Sequence, residues 1–111
     1  MDKQVALKLI DEVFALKGDA LMNFEIASNN TLRIRQALEN AKAEATQLPE
    51  WAELKNDKAR EAFLRLACED EYARADGAAE FEKEMRHKLT MADLEVERAR
   101  LIVKVNCEWQ V

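Results

Sequence analysis

One proline in 111 residues, Pro49, is the feature that most limits what this chain can become. Proline has no backbone N–H and biases its predecessor away from helical geometry, so a helix cannot run uninterrupted through Leu48 and Pro49. Only two glycines, Gly18 and Gly77, accompany it. With so few turn formers, the chain has material for one sharp connection and little else. Alanine, leucine, glutamate, lysine and arginine dominate the rest, the composition of long helices and coiled coils. The expectation is an all-α fold with one domain over residues 1–111. A helix over about 3–47, a linker over about 48–57 and a helix over about 58–108 form an antiparallel hairpin. Rods of that size are roughly 65 to 80 Å long.

Apolar spacing supports both helices. In the first, a seam runs through Leu9, Val13, Leu16, Ala20, Phe24, Ala27, Thr31, Ile34, Leu38, Ala41, Ala45 and Leu48. Its steps alternate between three and four, with one extra four near Ala20, which keeps the stripe on one face. Gly18–Asp19 is a poor helix interior and could mark a bend. The adjacent Asn29 and Asn30 offer a second place for a pause. The expectation is one long helix with local irregularity. In the second, Phe63, Leu66, Ala73, Gly77 and Phe81 mark the first half, and Leu89, Ala92, Val96, Ala99 and Val103 the second. Gly77, among Ala73, Ala75, Ala78 and Ala79, reads as a place where a neighbour comes close. Glu61 with Arg65, Asp70 with Arg74, Glu82 with Arg86 and Glu84 with Lys88 have favourable spacing for exposed pairs.

The linker can be read residue by residue. Pro49 suits the first position of a new turn, so "PEWAEL" makes a short helical turn with Trp51 and Leu54 facing inward. Asn56 or Asp57 caps the next helix, where an acid meets the positive end of the helix dipole. Arg60 is free to reach back to a linker carbonyl or to an acid such as Glu53. Ala62 and Leu64 begin the packing, and this segment sets the register of the hairpin.

Two rods bury only a narrow seam, yet large apolar side chains lie off it. Met22, Ile26, Leu94 and Ile102 are the expected oligomer interface, because exposed apolar patches of that size mark association. Pairing two hairpins into a four-helix bundle covers them. A homodimer is expected, with higher multiples allowed.

The chain offers little chemistry. Glu84-x-x-His87 is the helical pair used by di-iron carboxylate bundles, but Lys83, Arg86 and Lys88 surround it and oppose a dication. It reads as a solvated helix face. Glu69, Asp70, Glu71 and Asp76 lack the loop glycine and alternating ligands of a calcium loop, and read as an acidic face or a docking patch for a basic partner. With one serine, one histidine and no Gly-rich phosphate loop, the expectation is no enzyme, no metal and no cofactor. Cys68 and Cys107 would lie roughly 58 Å apart on one helix and could not bridge within it. Reduced thiols are the simpler reading, and a bridge between chains the other.

The formal charge is −5, which argues against a simple basic grip on nucleic acid. It is unevenly spread. Residues 50–82 carry ten acids and five bases, whereas residues 83–104 carry six bases and four acids. Lys83, Arg86, Lys88, Arg98, Arg100 and Lys104 form the candidate phosphate contact, set against the common case of a solvated face. No apolar run approaches the ~20 residues that span a bilayer. The start "MDKQVALKLIDEV" is a poor signal peptide, so nothing directs the chain out of the cell.

"LKNDKAREAFLRLACEDEYARAD", residues 54–76, followed by a charged helix ending in "ADLEVERARLIVKV", resembles a group of small helical-hairpin proteins of bacteriophages and prophages. Their pattern, Lys-Asn-x-x-x-Arg-x-Ala-x-Leu opening a second helix, is met by Lys55, Asn56, Arg60, Ala62 and Leu64. The Glu69-Asp70 pair with Tyr72, and residues 94–101, also fit. The likeness covers the linker and second helix, about half the chain. "QLPEWAE" departs from the glycine-containing turn expected there. The resemblance implies an accessory protein of phage DNA metabolism, in the cytoplasm of a bacterial host, without an assigned activity. Three functions follow as expectations: an oligomeric protein-binding accessory in recombination or replication, a direct nucleic-acid binder, or an anti-defence protein that blocks a bacterial immune complex.

Overall fold

A computed structural model describes residues 2–108, with side chains through Asn106. Four helices follow in order: α1 (Lys3–Ala45), α2 (Pro49–Ala52), α3 (Asp57–Ala67) and α4 (Glu69–Glu108). No strand occurs among the described residues. α1 packs against α4 in a hairpin-like arrangement.

Neither Gly18 nor the asparagine pair interrupts α1. Its inward positions follow a strict alternation of four and three: Ala6, Ile10, Val13, Lys17, Ala20, Phe24, Ala27, Thr31, Ile34, Leu38, Ala41 and Ala45, all buried or half-buried. Such a stripe is what an unbroken coiled-coil helix needs. Leu16 and Leu48, expected on the seam, are 60% and 46% exposed. The extra step near Ala20 arises from choosing the apolar Leu16 over its neighbour. Lys17 holds the position instead, its ammonium 3.1 Å from Asp93 on α4. A lysine serves there because its stem packs while its charge reaches water.

α4 carries the matching stripe: Cys68 just before it, then Glu71, Ala75, Ala78, Glu82, Met85, Leu89, Ala92, Val96, Ala99 and Val103, again buried or half-buried at steps of three and four. The second half agrees with the sequence reading. The first half corrects it. Leu66 is 77% and Phe81 50% exposed, and Ala73 and Gly77 are exposed as well. The inward line there is made of small and charged residues, so apolarity alone points to the wrong face. The second helix is also divided. Cys68 leaves helical geometry at φ −115°, ψ 32°, yet its N–H still donates to the Leu64 carbonyl and its own carbonyl still accepts from Tyr72.

The chain forms two compact units, residues 27–82 and residues 2–26 with 83–108. In the first, Leu38, Ala45 and Cys68 form a buried cluster, packed by Phe63, Leu64, Tyr72 and Ala75. Thr31, 1% exposed, shares its hydroxyl between the Ala27 carbonyl at 2.9 Å and the Ala78 carbonyl of α4 at 3.2 Å. A buried hydroxyl needs such a partner, so this pair ties α1 to α4 at one level. In the second unit, Val13, Val96 and Ala99 form the buried cluster with Leu9 against it. As α1 advances from Phe14 to Lys17 to Phe24, its neighbours on α4 retreat from Arg100 to Asp93 to Arg86. The two helices are therefore antiparallel.

The connection follows the sequence closely. Pro49 opens α2. Trp51 and Leu54 are half-buried, and the Trp51 ring lies 6.1 Å from Phe63. Asn56 caps α3, its side chain accepting from the Ala59 N–H at 2.8 Å. Arg60 donates back to the linker carbonyl of Leu54 at 3.3 Å and sits over Trp51. Leu64 packs inward, whereas Ala62 is exposed.

Gly77 does not mark a close approach. A methyl group added at Gly77, or at Gly18, would meet nothing within 4 Å. Both are helical, and glycine in a helix interior costs about 0.5–1 kcal/mol relative to alanine. Gly18→Ala with Gly77→Ala should therefore stabilise the chain by about 1–2 kcal/mol, the effects adding because the sites are distant in sequence and share no partner. Thermal denaturation followed by circular dichroism should show a rise of several degrees for the pair.

Candidate functional site: an apolar seam on the outer face of α4

Val96 and Ala99 face α1 and are 2% and 3% exposed. Two residues along a helix is about 200° around it, so Leu94 points away from α1. It does not stand alone. Met91, Leu94, Leu101 and Val105 are 47%, 57%, 62% and 58% exposed. With Arg98 between them they step by three and four, the spacing of a second coiled-coil seam on the side opposite the first. Extended backward, the same line meets His87 and Glu84, both exposed.

The four expected interface residues do not share one face. Met22 and Ile26, each 60% exposed, lie on the outer side of α1, and Leu94 lies on the outer side of α4. Ile102 is half-buried beside Leu101. In the sequence Met91, Leu94 and Leu101 already lie off the first seam, and Val105 completes their series. The signal was present: a second three-four series two residues out of phase with the first.

The six basic residues are likewise distributed around α4. Lys83, Arg86, Lys88, Arg98, Arg100 and Lys104 are all exposed. Arg86 lies over the Phe24 ring at 5.5 Å and Arg100 over the Phe14 ring at 5.8 Å, both toward α1. Arg100 also pairs with Glu97 at 3.1 Å, and Asp93 stands on that side too. Arg98, 3.9 Å from Glu95, belongs to the outer seam. The bases are interleaved with acids instead of forming one track.

Cys68 is the described cysteine, a free thiol only 2% exposed. The Cys107 side chain lies outside the described residues. Burial pushes the Cys68 thiol up, and the Glu71 and Glu44 carboxylates add to the effect against an opposing contribution from Lys42. A thiol held protonated is a weak nucleophile. It lines an open cleft of about 250 Å³ with Ala41, Glu44, Ala67 and Glu71. Nearby, Lys42 and Arg65 lie 5.1 and 4.7 Å from the Tyr72 ring centre. Burial works against the Lys42 ammonium, but bonding to Glu39 and Tyr72 outweighs it and raises its pKa. Glu69, Asp70 and Glu71 occupy the first turn of α4, where carboxylates offset the helix dipole.

No helix among the described residues is long and apolar enough to cross a membrane. Comparison with protein-family models, with curated proteins and with solved structures finds no match. The fold and the site define a helical hairpin with one seam closed by its own chain and a second seam open.

Proposed function

We propose that the chain is an oligomeric accessory protein of the phage type, acting through protein–protein contacts in phage DNA recombination or replication. The observation that carries the binding half of this reading is the open α4 seam. Leu94, Leu101 and Val105 are each more than half exposed at coiled-coil spacing, while the facing stripe of the same helix is buried. Apolar series of that kind are covered in the working state of a protein. The phage setting rests on the resemblance over Lys55–Leu64 and residues 94–101. Pairing of hairpins into a four-helix assembly belongs to the same proposal. The interleaved acids on α4 favour protein over nucleic acid as the partner.

Affinity capture from phage-infected bacteria tests the setting, with the wild-type chain and Leu94→Asp as baits. Recombination or replication proteins recovered by the first and lost by the second are the expected result. Recovery of a bacterial immune component instead would replace the setting with anti-defence. Tight DNA binding that falls steeply with salt would replace it with a nucleic-acid role, since phosphate contacts release counterions.

A further inference from the structure

We draw no further inference here: the strongest candidate, the exposed apolar series of Met91, Leu94, Leu101 and Val105 on the outer face of α4, carries nothing beyond the association already proposed, because nothing in the structure shows what covers it.

Discussion

Val96→Asp will unfold the hairpin, at a cost of at least about 4 kcal/mol. Val96 is 2% exposed and packs with Val13 and Ala99, with Leu9 against the same cluster. The substitution removes a buried aliphatic group, which alone costs a few kcal/mol, and puts a carboxylate among apolar side chains. A buried charge in such surroundings is among the few single changes that exceed 4 kcal/mol. The marginal stability of a domain this small leaves little in reserve, since ~5–15 kcal/mol is typical. Loss of the helical circular dichroism signal at 25 °C, or a denaturant midpoint moved close to zero, is the expected observation. A Val96→Asp variant with the wild-type midpoint would mean that α4 presents another face to α1.

Leu94→Asp, two residues away, should behave in the opposite manner. Leu94 is 57% exposed, so aspartate there meets water in the single chain and helicity should persist. In the dimer the same change removes two apolar contacts and sets two carboxylates in the seam. Central interface residues of this kind contribute about 2 kcal/mol or more each. The dissociation constant should rise by about a hundredfold or more. Together the two variants separate the seam that folds the chain from the seam that assembles it. Concentration-dependent mass reads the second, and thermal melting at low concentration confirms that the fold survives.

Much of this was legible in the residues because the backbone obeys local rules at the connection. Pro49, Asn56 and Arg60 act as their chemistry requires: a turn opener, a cap and a donor to the Leu54 carbonyl. The inner seam of α1 was legible from Ala20 to Ala45, was lost where Lys17 replaces a hydrophobe, and was missed at its start, where Ala6 and Ile10 lie inward. The first half of α4 was misread for the same reason in reverse. Leu66 and Phe81 look like core and are exposed, whereas Ala75, Ala78 and Glu82 line the contact. Small and charged side chains hold the inward positions there, so apolarity alone points to the wrong face. The departure at Cys68 carries no glycine or proline, so nothing in the local sequence announces it. As for the candidate site, Met91, Leu94 and Leu101 were visible as apolar residues off the first seam. The series through Met91, Leu101 and Val105 became distinct only once Val96 and Ala99 were seen facing α1.

Coverage of the outer seam of α4 by another chain is the expectation on which the proposed function depends. Sedimentation equilibrium of the wild-type protein, from low micromolar to several hundred micromolar, tests it most directly. The expected result is a mass that rises with concentration toward twice the 12.8 kDa of the single chain. A mass that remains at 12.8 kDa across the whole range would contradict it.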